Sequence, residues 1–386
     1  MTNGRLVLSM PPISSLLVLF NNGVAAQNPG PDLTLGDSLV LEETEEHYIG
    51  NPLALFVAPD GSMLVSDGFA ETVLRYDATG RLTGHLGRRG GGPGEFLHLG
   101  GVGFVTETVA GFLDETGKLE VFEPMTGAYQ GSVRVDVNNR PSSFAASGDS
   151  LWFVGNNRIS SASHGVIAVA DLVDAVGAKE QPPPIVLDRG TVPVPYRERH
   201  ALAGSLSIAF LSAGVLDAVL GFTGSPFLIR IAHEGAVTDT VWIGKGLRRG
   251  EPDEDKLLEA MRRDRSGTQE DLRSWIFDFF AGVSLVRGLS RDGAGNVFTL
   301  HQESDRDEDG TMTGARLYAA VSRFDGDRGC GDTLIPTSDV GVPIPFLQGN
   351  TLWILDRQLR AGAESSIATV VRRFTIDPIR CTGTVR

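Results

Sequence analysis

The sequence predicts an all-β fold made of about six copies of one four-stranded antiparallel sheet, and three observations carry that prediction. Glycine and proline are abundant, 48 and 20 among 386 residues, and they punctuate short β-branched and aromatic runs with little helical periodicity. One unit of strand, Asp-Gly turn, strand, polar connection, strand, Asp-x-x-Gly turn and strand recurs along the chain. A further short strand near the N-terminus has no unit of its own and is placed to complete the last one.

The unit is clearest from Leu55 to Leu82, with Leu55-Phe56-Val57, the turn Asp60-Gly61, Met63-Leu64-Val65-Ser66-Asp67, Thr72-Val73-Leu74-Arg75-Tyr76 and the turn Asp77-Ala78-Thr79-Gly80. Such turn residues adopt the backbone angles that a tight reversal needs. Weaker copies cover residues 104–135, 144–169, 210–243, 289–334 and 346–376. A lone meander cannot bury both faces, whereas stacking each sheet against its neighbours around an axis does. The predicted fold is therefore a six-bladed β-propeller of four-stranded antiparallel blades, with a pair of β-sandwiches as the alternative. Ser38-Leu39-Val40-Leu41-Glu42 is the strand expected to close the ring within the last blade.

Residues 1–26 read as a secretory signal peptide: Arg5 precedes the apolar stretch 13–20, and the small-residue run Val24-Ala25-Ala26 predicts cleavage before Gln27. The apolar stretch is shorter than the roughly 20 residues of a membrane-spanning helix, and no later segment is long enough. Residues 27–386 are expected to form a single propeller domain, exported to the periplasm or beyond the cell. Two stretches interrupt its repeats. Residues 171–200, with Gln181-Pro182-Pro183-Pro184, Pro193 and Pro195, read as an extended connection. Residues 252–280 carry the only convincing helical pattern, a small helical hairpin whose second half aligns Leu272, Trp275, Ile276 and Phe279 on one face.

With 34 basic against 48 acidic residues the net charge is −14, which makes nucleic acid a poor partner. Two cysteines, Cys330 and Cys381, suit a disulfide in an exported chain. Closing that loop of about 50 residues contributes about 3–4 kcal/mol in the chain-entropy model. Two buried free thiols are the alternative.

The stretch Gly87-Arg88-Arg89-Gly90-Gly91-Gly92-Pro93-Gly94-Glu95-Phe96, joined to the unit before it, resembles the blade-to-blade link of secreted bacterial six-bladed β-propellers of the NHL-repeat-like or TolB-like kind. The resemblance covers residues 49–135 well and 285–376 moderately. Those repeats usually place a proline soon after the Phe, where this chain has Leu97-His98-Leu99-Gly100-Gly101-Val102. The glycines suit a tight crossing from an outer strand to the next inner one. Arg88 and Arg89 invite an anion-binding reading, without the strand-to-helix setting of a P-loop.

Asp305, Asp307 and Asp309, followed by Gly310, have the alternate spacing that wraps oxygens around calcium, with Glu303 or Ser304 as extra ligands. Position twelve of that loop is Arg316, not the bidentate Glu of an EF-hand, and a solvated acidic hairpin tip is the other reading. The histidines His47, His85, His98, His164, His200, His233 and His301 form no close pair in sequence, matching strand positions show no recurring His, Asp or Glu, and no Gly-x-Ser-x-Gly elbow occurs. Two functions stay open. The first is a binding module that holds a peptide, glycan or partner protein at one end. The second, implied by what similar propellers do, is a metal-dependent hydrolase or lyase with its site in the central channel, in the manner of propeller lactonases and amidating lyases.

Overall fold

The computed structural model describes residues 30–378, apart from 107, 115–116, 137–140, 158–160, 178–184, 187–189, 194–208, 215, 223–226, 234–235, 244–283, 307–311, 325–329, 339 and 360–366. Strand β1 (Asp32–Val40) comes first. Blade 1 follows as β2 (Pro52–Val57), β3 (Met63–Asp67), β4 (Thr72–Tyr76) and β5 (Leu82–Leu86). A small parallel pair, β6 (Arg88–Arg89) and β7 (Glu95–Phe96), leads to blade 2: β8 (Leu99–Thr106), β9 (Val109–Asp114), β10 (Lys118–Phe122) and β11 (Tyr129–Asp136). Blade 3 contains β12 (Pro141–Ser147), β13 (Ser150–Asn157) and β14 (Ser161–Ala168). Helix α1 (Val169–Val176) and β15 (Ile185–Val186) then precede the outer strand of this blade, β16 (Gly190–Pro193).

Blade 4 is β17 (Ala209–Ala213), β18 (Asp217–Phe222), β19 (Phe227–Ala232) and β20 (Val237–Trp242). Blade 5 is β21 (Leu285–Arg291), β22 (Asn296–Arg306), β23 (Met312–Arg323) and β24 (Thr333–Ile335). The last blade combines β25 (Val340–Gln348), β26 (Thr351–Leu359) and β27 (Ile367–Asp377) with β1, which pairs antiparallel to β27 from Asp32↔Asp377 to Val40↔Val370. The ring is thus closed by an N-terminal strand as the sequence predicts, but the strand lies earlier, and Leu41 and Glu42 fall beyond its end. Each innermost strand, β2, β8, β12, β17, β21 and β25, touches the innermost strands of both neighbours, so the six surround one axis.

Six sheets meet at six interfaces, and each interface holds one apolar cluster. Val65 and Leu74 pack against Ile344 and Leu355 between blades 1 and 6; Leu86 and Phe96 pack against Ala110 and Phe112 between blades 1 and 2. Leu113 and Val121 meet Phe144 and Phe153; Trp152 and Val154 meet Leu220 and Phe222. Val219 and Leu228 meet Val286 and Val297, and Phe298 and Leu317 meet Leu352 and Phe374. The alternation of side chains along a strand sends successive residues to the two neighbouring blades, which is why both faces of each sheet are apolar.

The segment 171–200 departs from the expected plain connection. Its first residues finish α1, where Leu172 is buried and Val169, Ala175 and Val176 pack on the blade 2–3 core. Proline starts only at 182, so nothing interrupts that helix. β15 adds a parallel edge strand to β11, and β16 supplies the outer strand of blade 3, ending at Pro193 where a free edge needs no further ladder donor. The residues of the predicted signal peptide, 1–26, and of the helical hairpin, 252–280, lie outside the described residues. No helix among the described residues is long and apolar enough to cross a membrane.

Candidate functional site

Every blade begins at its innermost strand and runs as a meander, so the two ends of the propeller are chemically different. One end carries the turns between first and second strands and between third and fourth. The other receives each outer-to-inner connection and the turns between second and third strands, and it frames the mouth of the axial channel.

At the first end, acidic turns satisfy their own backbone. Asp60 accepts from the Ser62 hydroxyl at 2.7 Å and its amide at 3.0 Å. Asp77 accepts from the Thr79 hydroxyl at 2.7 Å and from the Thr79 and Arg81 amides, and Asp292 from the Ala294 and Asn296 amides at 2.9 Å each. Glu123 likewise takes the Thr126 hydroxyl and the Met125 and Thr126 amides. Chiefly because of those hydroxyl donors, Asp60, Asp77 and Glu123 titrate below the ordinary carboxylate range. A depressed folded-state pKa gives stability that is present above the unfolded value and is lost as pH falls through the folded one. The melting temperature is accordingly expected to hold above about pH 5 and to fall below about pH 4. A melting temperature that rises between pH 4 and pH 3, read by scanning fluorimetry at constant ionic strength, would contradict this assignment.

At the mouth, buried carboxylates fix the connections into the inner strands. Asp67, the last residue of β3, accepts amide bonds from Gly50 at 2.6 Å, Asn51 at 3.0 Å and Phe69 at 2.8 Å. Asp114, the last residue of β9 and 0 % exposed, accepts from Leu97 at 2.9 Å and His98 at 3.3 Å. Asp356 in β26 accepts from the Ser338 amide at 2.7 Å and its hydroxyl at 2.8 Å, and Arg372 donates to the Oδ2 that takes the amide. In blade 5 the same place is taken by Glu303, which accepts from the Ser284 hydroxyl at 2.6 Å. Among the described residues, four blades therefore tie the residues just before the inner strand to a carboxylate on the second strand. This corrects the expectation that matching strand positions carry no recurring acid. Asp67, Asp114 and Asp356 accept from backbone amides and in sequence read only as the acid that ends a strand, while Glu303 takes a hydroxyl and lies within a polar stretch of β22.

Further bonds run between blades. Glu71, whose φ of 50° makes it the one non-glycine in the left-handed region among the described residues, accepts the Leu99 amide of blade 2 at 2.9 Å. Arg357 of blade 6 donates to the carbonyls of Ile49 and Gly50, at 2.6 and 3.0 Å. On this frame sit Leu53, Phe69, Leu97, Val342 and Leu359, all exposed apolar side chains; Phe69 is 70 % exposed and Leu97 47 %. Deeper in the channel, Phe56 lies 4.8 Å from Phe346 and 6.3 Å from Phe104, ring centre to ring centre. A side chain confined to one face of blade 1 would meet only one neighbour, so contact with both blades 6 and 2 places Phe56 at the axis.

The glycine-rich link is a structural latch. Gly87 has φ 64°, and a Cβ there would lie 2.1 Å from the ring of Phe96, which is itself fully buried against Phe112 and Phe122. Arg88 pairs with Glu95 at 2.7 Å, and Lys118 donates to the carbonyls of Gly92 and Glu95. Arg88 is thereby occupied, while Arg89 is exposed.

Asp305 lies in β22 opposite Gly314, with its carboxylate 2.5 Å from Arg316, the residue at position twelve of the predicted calcium loop. Asp307 and Asp309 lie outside the described residues. Among the described residues, no three His, Cys, Asp or Glu side chains gather as a metal site. Folding brings together two histidines that are distant in sequence: the rings of His47 and His85 stack at 5.2 Å. His301 stacks on Tyr318 at 5.2 Å and lies 3.7 Å from Asp332, inside blade 5. Cys330 is buried at 1 % exposure beside β23, where its amide bonds the Val321 carbonyl, and no described cysteine is free. Cys381 lies outside the described residues.

No family model matches the chain, and no curated protein is similar to it in sequence. Solved structures share its fold. A presumed exported protein from Bacteroides fragilis is 10 % identical, with a TM-score of 0.53 over 89 % of this chain and 95 % of that one. A member of the DUF4221 family from Bacteroides vulgatus is also 10 % identical, with a TM-score of 0.56 over 91 % and 99 % of the two chains. At such identity the likeness concerns the fold alone. The protein is a six-bladed β-propeller.

Proposed function

We propose that the protein is an exported binding module that holds a peptide, glycan or partner protein at the mouth end of the propeller. The observation that carries this reading is the contrast between the two ends. One carries acidic turns that consume their own hydrogen-bonding capacity, and its exposed apolar side chains Met125 and Leu216 stand on turns of separate blades. The other displays Leu53, Phe69, Leu97, Val342 and Leu359 on a frame held by buried carboxylates. Exposed apolar side chains on a rigid, hydrogen-bonded frame suit recognition, because little ordering is left to oppose binding. Export is supported by the charged and apolar pattern of residues 1–26 and agrees with the assignment of the Bacteroides fragilis neighbour. The complete glycine-rich latch supports the NHL-repeat-like or TolB-like resemblance.

Peptide and glycan arrays probed with three proteins test the reading: the wild type, the mouth variant Phe69→Ser/Leu97→Ser, and the opposite-end variant Met125→Ser. Binding is expected to fall at least about tenfold in the mouth variant, a loss of about 1.4 kcal/mol, and to persist in the control. Equal binding by all three would overturn it. The competing reading, a metal-dependent hydrolase or lyase, predicts a stoichiometric divalent ion in the purified protein, which metal analysis measures.

Calcium at the Asp305, Asp307 and Asp309 tip would have to share Asp305 with Arg316. Binding there predicts a calcium-dependent rise in melting temperature that Asp307→Asn/Asp309→Asn removes. The disulfide between Cys330 and Cys381 predicts that Cys381→Ser costs about 3–4 kcal/mol in denaturant unfolding. An unchanged unfolding midpoint would exclude the bridge.

A further inference from the structure

We propose that Arg287, on the innermost strand of blade 5, anchors the carboxylate of a ligand whose apolar body fills the channel mouth. The proposal deepens the binding reading above and rests on it. Arg287 is the extra residue of a β-bulge: Val286 pairs with His301 and Gly288 with Leu300, leaving Arg287 with no opposite residue. Such a residue is re-aimed out of the regular alternation.

Both flanks of this strand are already committed. Val286 and Leu289 pack into the core shared with blade 4, while the Ser290 hydroxyl accepts the Gly349 amide of blade 6 and Leu300 packs toward that blade. What remains for Arg287 is the inner edge, which faces the axis. The guanidinium is enclosed by protein, keeps partial solvent access, and has no hydrogen-bond or ion-pair partner among the described residues. Burial holds it below the ordinary arginine value.

Its neighbours behave differently. Arg291, four residues on in the same strand, has the Asp217 carboxylate at 2.6 Å; Arg372 has Asp356; Arg75 and Arg357 each hold two or more carbonyls. An enclosed, unpaired cation weakens a fold, so a group retained in that state suits a ligand that brings the missing charge. One cation, in a chain of net charge −14, matches a monoanion better than a phosphate dianion. Planar, bidentate pairing favours a carboxylate. The aromatic contact of Phe56, Phe104 and Phe346 toward the far end of the channel and the apolar rim at its mouth supply surface for the rest of the ligand. A peptide C-terminus and a fatty acid share this chemistry.

Isothermal titration with N-acetyl-Leu-Phe and its C-terminal amide, and with octanoate and 1-octanol, separates those sources. At least one acid is expected to bind the wild type with Kd below about 1 mM, and its neutral counterpart at least about tenfold more weakly. Arg287→Gln should abolish that preference for the acid, Arg287→Lys should keep part of it, and both should melt no lower than the wild type. The proposal is overturned if neither acid binds, if acid and neutral forms bind alike, if inorganic phosphate competes as well as the acids, or if Arg287→Gln leaves the preference intact. Loss of acid binding in Phe69→Ser/Leu97→Ser together with an unaffected Arg287→Gln would keep the mouth and remove the anchor. Binding untouched by either would remove both.

Discussion

Replacing Asp67 by Ala should lower stability by about 3–5 kcal/mol, as expected when loss of a buried acceptor leaves several partners unpaired. Three amides, those of Gly50, Asn51 and Phe69, lose their acceptor at once, and the carboxylate they share is itself buried. Asp114→Ala should also be strongly destabilising, since the Leu97 and His98 amides lose their acceptor. Asp67→Asn is the informative comparison, because an amide keeps one acceptor oxygen but turns a donor toward backbone donors. It should fall between wild type and Asp67→Ala in urea unfolding, at an unchanged slope. An Asp67→Ala protein within about 0.5 kcal/mol of wild type, the range of ordinary surface substitutions, would show that the carboxylate does not hold the connection.

Removal of β1 should have an effect of a different kind. A chain lacking residues 30–40 loses the strand that pairs with β27 and leaves the β27 edge open. A ring with an open blade has an unpaired edge that templates association with other chains. The expected result is a shift from monomer to oligomer in sedimentation or light scattering, with a melting temperature lower by more than about 10 °C. A monomer of wild-type melting temperature would mean that the ring does not depend on this closure.

The parts of this architecture that are legible in sequence are those written in turn chemistry. Asp60-Gly61 and Asp77 to Gly80 specify reversals locally, and blades 1, 2 and 6 follow from such signals. The closing strand is visible because Leu39-Val40-Leu41 is an apolar run with no partner nearby in sequence. Helix α1 is not legible, because its Val169, Val173 and Val176 suit a strand as well as a helix, and the prolines that follow suggest an extended path. What makes it a helix is tertiary: Leu172 and Val176 pack against blade 2 and blade 3.

The candidate site is less legible still. Val65-Ser66-Asp67, Phe112-Leu113-Asp114 and Ile354-Leu355-Asp356 share a pattern, yet an Asp after an apolar run is also how a strand simply ends. Only the pairing of amides 50, 51, 97, 98 and 338 with these carboxylates shows that the pattern frames the mouth. Arg287 is one arginine among many until the bulge between Val286 and Gly288 sets it apart. Scattered His47 and His85 meet only through the fold. Sequence periodicity reports which face a residue occupies; it carries no information about a residue that a bulge has removed from that alternation.

Hydrogen exchange with the tightest-binding array ligand present tests most directly whether this propeller binds at its mouth. Protection is predicted at residues 49–53, 67–71, 97–101 and 340–342, where the apolar rim and its carboxylate supports lie, with the turns at 58–62, 77–80 and 123–128 unchanged. Protection confined to those turns would place the ligand on the opposite end and contradict the account.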